Sequence, residues 1–200
     1  NIATAGTQKF ILVVGHLHHM IEKRYGDGSQ FGIDVEYVLQ QRPNDPWGAL
    51  SDVAQATDLH GPALVANGDV IADIDPRAMV VNEPGVAATI LAVRSHIPYG
   101  VMEVGVDLRV LRFVEKPVLD AWINGGMYYF RDVSGVIGGS MLEYDVLPVL
   151  AGQGALRAVL HTGYWRAVDS YKDYDEVRED GLDPPPSRLV ARAREMFLTS

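Results

Sequence analysis

Four short stretches of this 200-residue sequence combine carboxylates, amides, a lysine and paired glycines where a chain should turn. The first is Leu64-Val65-Ala66-Asn67-Gly68-Asp69-Val70. A carboxylate straight after a buried strand can hold Mg²⁺ with phosphate oxygens completing the shell, and Gly68 lets backbone approach a ligand closely. The same Asn-Gly-Asp is also an ordinary turn. The second is Phe113-Val114-Glu115-Lys116-Pro117, where Lys116 offers a point charge suited to phosphate or simply marks a solvated strand exit. In the third, Trp122-Ile123-Asn124-Gly125-Gly126-Met127-Tyr128, two glycines weaken an apolar strand unless something packs closely there. Either a β-bulge or a sugar ring lying on the backbone meets that condition. The fourth, Gly163-Tyr164-Trp165-Arg166-Ala167-Val168-Asp169-Ser170, puts a second acid before a helix, where Asp169 or Ser170 also suits an N-cap.

Positioning these residues requires strands that end where the chemistry begins. Residues 9–14 (KFILVV) form a continuous apolar run, the pattern of a parallel strand buried on both faces. Leu17, Met20 and Ile21 have helical spacing up to the turn Gly26-Asp27-Gly28. Residues 34–39 alternate as a strand, 48–59 read as a helix, and 63–66 form a third buried strand. Strands alternating with helices across short linkers predict a parallel sheet covered on both faces, with ligands beyond the carboxyl ends of its strands. Further on, residues 87–93, 100–104, 108–114 and 122–130 read as strands. A helix is expected over 141–151, with Ser140 and Glu143 spaced as a capping box. Residues 155–168 read as one strand and Tyr171 to Glu179 as a helix; Pro184-Pro185-Pro186 then breaks the chain before a basic terminal helix.

The net charge of −9 argues against non-specific binding of nucleic acid or anionic membrane. It leaves room for a phosphate ligand, since a metal ion reverses the local field. With no cysteine, disulfides and thiolate metal sites are excluded, and a cytoplasmic location is expected. No apolar run approaches the roughly 20 residues needed to span a bilayer. His16, His18 and His19 read as a solvated helix start rather than a metal site, and the C-terminal arginines as the charged face of an amphipathic helix.

In order and spacing these stretches resemble the sugar-1-phosphate nucleotidyltransferases, or NDP-sugar pyrophosphorylases. The shared segments are Asn67-Gly68-Asp69, Tyr99-Gly100-Val101, Glu115-Lys116-Pro117, Asn124-Gly125-Gly126-Met127-Tyr128, Leu142-Glu143-Tyr144-Asp145-Val146-Leu147-Pro148 and Gly163-Tyr164-Trp165. The likeness runs from about residue 5 to 177 and looks nearest to the mannose-1-phosphate guanylyltransferase and glucose-1-phosphate thymidylyltransferase branches, leaning to the guanylyl type. It implies a Rossmann-like α/β fold, with a mixed, mainly parallel sheet and helices on both faces. The reaction implied joins an NTP to a sugar 1-phosphate, giving an NDP-sugar and pyrophosphate with Mg²⁺ as cofactor. On that footing Asp69 and Asp169 are the expected metal ligands and Lys116 holds the sugar phosphate. Asn67 and Gly68 belong to the substrate-binding turn, and Glu115, Asn124 and the backbones of Gly100 and Gly125 grip the sugar. The family often forms homo-oligomers.

The sequence departs from the family in three places. It starts after the family's first strand and Gly-rich phosphate loop, so residues 1–180 read as a nucleotidyltransferase domain lacking both, followed by a Pro-rich break and helix over 181–200. These 200 residues alone are expected not to catalyse the transfer. Asp45-Pro46-Trp47 replaces the small residues of the base pocket, and Pro46 removes an N–H donor. The acid after Trp165 comes four residues later, at Asp169, a register similar to cytidylyltransferase-type members. Two other readings stand beside the enzyme: a non-catalytic pyrophosphorylase-like subunit that binds a sugar nucleotide, and a glycosyltransferase using an NDP-sugar, with Asp73 and Asp75 as its Asp-x-Asp pair.

Overall fold

The computed structural model describes residues 9–40, 50, 52–53, 56–57, 59–135 and 141–180. Its centre is β8 (Ile123–Phe130), which runs antiparallel to both β3 (Ala63–Ala66) and β5 (Ala88–Val93). β5 in turn pairs in parallel with β9 (Leu156–His161), giving the order β3-β8-β5-β9. Three strands therefore run one way and β8 runs against them. The sheet is mixed: because β8 lies between β3 and β5, two of its three pairings are antiparallel, which corrects the parallel sheet read from the alternation of strands and helices, although three of its four strands share one direction.

The alternation of side chains along β8 builds two cores. Tyr128 and Phe130 face Ala88, Val133, Leu142 and Leu147 on one side. Met127 and Tyr129 face Ile74, Met79, Leu91 and Val93 on the other. The first face is covered by a π turn (Leu142–Val146) running into α2 (Leu147–Gly152), together with Leu50 and Leu59. Pro148 lacks the N–H that a regular α turn needs here, and the widened turn accommodates it. The second face is covered by a 3₁₀ turn (Pro76–Met79) and a ribbon of β4 (Val70–Ala72) and β10 (Trp165–Ala167). Behind the ribbon, α3 (Tyr171–Glu179) is tied on by Arg166, which pairs with Glu176 and Asp180.

Several sequence expectations are corrected. The strand expected over 155–168 is two strands, β9 and β10, which leave for different sheets at Gly163. A Cβ at Gly163 would lie 2.5 Å from the Asp73 carboxylate and 2.7 Å from the His161 ring, so glycine lets these two side chains close the corner undisplaced. β4 was not expected, because three apolar residues are too short to show a period. The strand at residues 9–14, β1, is partly exposed rather than buried on both faces. Among the described residues it pairs only with β2 (Asp34–Leu39), in parallel. α1 (His18–Tyr25) buries none of its side chains, and His18 Nδ1 lies 3.0 Å from Glu22 Oε1. Of the expected helix over 48–59, residues 50, 52, 53 and 56 are helical and most others lie outside the description. Ser140 also lies outside it; the residue that reaches back to cap the turn is Asp145, whose Oδ2 accepts the Met141 N–H at 2.7 Å, not Glu143. Asn44 to Trp47 and residues 181–200 are likewise outside the described residues.

Between β5 and β8 the chain makes a projecting hairpin of β6 (Val101–Val104) and β7 (Val110–Val114). Its base is stitched by Ile97 N–H donating to Pro117 O and Leu119 N–H to Ser95 O, both at 2.8 Å.

Candidate active site

One end of the sheet gathers the carboxyl ends of β3, β5 and β9 with the amino end of antiparallel β8. Asn67, Gly68 and Asp69 leave β3 there as an exposed turn. The chain then enters β4, which pairs with β10 in the register Val70↔Ala167, Ile71↔Arg166, Ala72↔Trp165. One residue beyond this ladder, Val168 N–H donates to Asp69 O at 2.8 Å. Asp169 follows immediately. Two acids a hundred residues apart in sequence are thus brought to the same strand end by one short antiparallel pair.

Both carboxylates are available. Neither Asp69 nor Asp169 has a side-chain partner among the described residues. The N-cap role weighed for Asp169 falls to Ser170, whose hydroxyl accepts the Asp173 N–H. Two unpaired carboxylates on neighbouring strand ends repel one another unless a cation lies between them. Two hard oxygen donors, with no nitrogen or sulfur ligand, suit a small divalent ion that keeps water and phosphate in the rest of its shell. No group of three or more His, Asp or Glu able to hold a metal occurs among the described residues.

Gly125 and Gly126 form a bulge opposite Leu91, where the β5–β8 register shifts. A Cβ at Gly125 would lie 2.8 Å from Leu91 Cγ, and Gly126 has φ of +70° with Asn67 and Val70 pressed against it. Internal packing therefore accounts for both glycines. The bulge turns the Gly125 carbonyl to the Trp165 indole, which donates to it at 2.9 Å, and the Gly126 carbonyl to Asn67 N–H at 2.8 Å. Asn67, Asn124, Gly125 and Trp165 are thereby joined in one group, with the backbones of the two acids adjoining it. Gly68 has no neighbour within 4 Å of where a Cβ would sit, which leaves that side of the turn open.

Gly100, Glu115 and Lys116 form a second group at the base of the hairpin. A Cβ on Gly100 would collide with the Phe113 ring and lie 2.8 Å from Glu115 Oε2. Lys116 is exposed and held at φ of +45°, a conformation that costs a non-glycine residue energy. His96 Nδ1 lies 2.9 Å from the Lys116 carbonyl; a carbonyl can only accept, so this nitrogen carries the proton. The Lys116 ammonium has no partner among the described residues. An open groove of about 300 Å³ borders this turn, lined by Val101, Met102, Glu103, Arg112, Val114 and Pro117. No hydrogen bond or ion pair among the described residues joins the two groups.

Two features escaped the sequence reading. His161 Nε2 lies 2.8 Å from Asp73 Oδ1 and Arg77 pairs with Asp75 at 2.7 Å, so both acids of the Asp-x-Asp pair of the glycosyltransferase reading already have side-chain partners. Tyr128 and Glu143 join Asn124 in a hydrogen-bonded chain; all three sit inside recognised segments, but nothing local shows that these segments meet.

The mixed sheet with its crossing β4–β10 ribbon defines an α/β fold of the nucleotide-sugar transferase type. A putative glucose-1-phosphate thymidylyltransferase from Bacillus anthracis, solved in complex with sucrose, shares it with a TM-score of 0.70 at 18% identity over 92% of this chain and 80% of that one. Residues 1–181 match the nucleotidyl transferase family, and the chain belongs to that family. It is 29% identical to the mannose-1-phosphate guanylyltransferase of Mycobacterium tuberculosis, over 98% of this chain and 58% of the relative. It is likewise 29% identical to the catalytic subunit beta of the Danio rerio mannose-1-phosphate guanylyltransferase, over 86% of this chain and 51% of the relative. The chain therefore spans between half and three fifths of these curated relatives.

Proposed function

We propose that this domain transfers a nucleotidyl group from an NTP to a sugar 1-phosphate, releasing pyrophosphate, with GTP and mannose 1-phosphate as the preferred pair. The observation that carries this reading is the β4–β10 pairing, which places Asp69 and Asp169 together at the carboxyl end of β3. Family membership and the guanylyltransferase relatives support the choice of substrates.

In the reaction a phosphate oxygen of the sugar 1-phosphate bonds to the α-phosphorus as the bond to the bridging oxygen of pyrophosphate breaks. Catalysis is then mainly positioning and charge stabilisation. Asp69 and Asp169 would hold Mg²⁺, which supplies positive charge to the phosphate oxygens when bound. Lys116, pre-set by its strained backbone, neutralises the sugar phosphate. Glu115 accepts from sugar hydroxyls, Asn124 meets the ring from the bulge, and Asn67 and Gly68 leave the turn open to substrate. We place the protein in the cytoplasm, in keeping with its lack of cysteine. No described helix is long and apolar enough to cross a membrane.

The test is pyrophosphate release from the full-length protein with each NTP against mannose 1-phosphate and glucose 1-phosphate. Release is expected to need both substrates and Mg²⁺, and to fall by at least about a hundredfold in Asp69→Ala and Asp169→Ala, the scale of losing a charge-stabilising group. Chelation should abolish release while the protein stays folded, since the two acids lie outside both cores. Tight binding of an NDP-sugar without turnover would support the non-catalytic subunit, a reading favoured by Asp45-Pro46-Trp47.

A further inference from the structure

The Asn124 side chain is held at both of its polar atoms. Oδ1 accepts the Gly126 N–H at 2.9 Å, and Nδ2 donates to the Tyr128 hydroxyl at 2.6 Å. The hydroxyl donates in turn to Glu143 Oε1 at 3.4 Å. The ends of this chain admit only one polarity. A backbone N–H can only donate, so the amide oxygen faces Gly126; a carboxylate can only accept, so the phenol proton faces Glu143. The phenol oxygen is left to accept from the amide nitrogen.

The middle of the chain cannot swing away. Tyr128 is fully buried and stacked against Phe130, with ring centroids 6.4 Å apart. Burial above all pushes its pKa up to about 12, so the hydroxyl keeps its proton, and the charges of Glu143 and Asp69 act in the same direction. Asn124 itself is exposed, and its second Nδ2–H has no partner among the described residues.

We propose that Tyr128 and Glu143 are positioning residues that, through Asn124, present its free Nδ2–H as a fixed donor to a hydroxyl oxygen of the sugar. This inference rests on the reading of the chain as a sugar-1-phosphate nucleotidyltransferase. Neither Tyr128 nor Glu143 touches the sugar. Without the phenol, the amide loses one of its two anchors and no longer holds its donor in place. The substrate then has to order the amide as it binds, and the loss appears in sugar binding rather than nucleotide binding.

The experiment measures pyrophosphate release by the full-length protein, varying GTP and mannose 1-phosphate separately, in wild type, Tyr128→Phe, Glu143→Ala and the double variant. The value of one oriented hydrogen bond predicts a KM for mannose 1-phosphate about tenfold higher in each single variant, with the KM for GTP changed less than about twofold. The double variant should be no worse than Tyr128→Phe, since both act through one chain. An active wild type with no rise in sugar KM, or with equal rises for both substrates, overturns this inference alone. A folded wild type with no release dependent on both substrates overturns the functional reading and this inference with it. If Tyr128→Phe does not fold, Glu143→Ala, altered at an exposed position, decides by the same criteria.

Discussion

Tyr128 shows how much one side chain contributes at this site. Its ring fills the first core while its hydroxyl links an exposed amide to an exposed carboxylate. Removing the phenol from water raises its pKa to about 12, against about 10 in the unfolded chain. A raised folded value means that the folded state holds a proton the unfolded state has lost between these limits. Stability is therefore complete below pH 10 and falls as pH rises towards 12, by on the order of 2 kcal/mol from this group. Urea titrations at pH 9 and pH 11.5 should show a smaller alkaline loss in Tyr128→Phe than in wild type. An equal loss would show that Tyr128 is not buried as described. The motif containing Tyr128 was legible in sequence. Its partner Glu143 was read as part of a shared segment and of a capping box, but not as facing Tyr128, because spacing along a helix cannot report what lies across a core.

Among the elements, β10 and α3 set the second acid. Ser170 caps α3 through the Asp173 N–H, and its hydroxyl donates to Asp173 Oδ2 at 2.7 Å. The cap fixes where the helix starts and so where Asp169 stands, one residue before it. Ser170→Ala is expected to cost about 1 kcal/mol, read from the urea midpoint. It should also lower turnover, because the chain between Val168 and the helix is then less fixed. A variant that loses stability with turnover intact would show that Asp169 is positioned by β10 alone. The limits of α3 were readable from its helical spacing and the Asp-Ser before it. The break at Gly163 was not, since the His161–Asp73 pair that closes the corner joins β9 to the end of β4.

For the whole molecule, the β6–β7 hairpin is the unusual surface. Met102, Val104, Val106, Leu108, Val110, Leu111 and Phe113 are all at least half exposed on a two-stranded element. An isolated hairpin is marginal in water, and exposed apolar patches of this kind commonly mark contacts with other chains. We propose that this face meets a second copy of the chain, the homo-oligomer that the family resemblance leaves possible. Light scattering should give at least twice the protomer mass, and Leu108→Asp with Leu111→Asp should halve it; a monomeric wild type would remove the expectation. The amino-acid sequence by itself determined the α/β class, most strand positions, the two acids, and the Glu-Lys and Asn-Gly-Gly segments, because apolar runs, turn residues and motif order are local properties of the chain. Tertiary structure decided which of those residues meet. A three-residue ribbon joins Asp69 to Asp169, a bulge over Leu91 explains the glycines, and a buried phenol orients Asn124. Each depends on pairing between segments distant in sequence, where the energy comes from burying both partners at once and neither segment alone carries the signal.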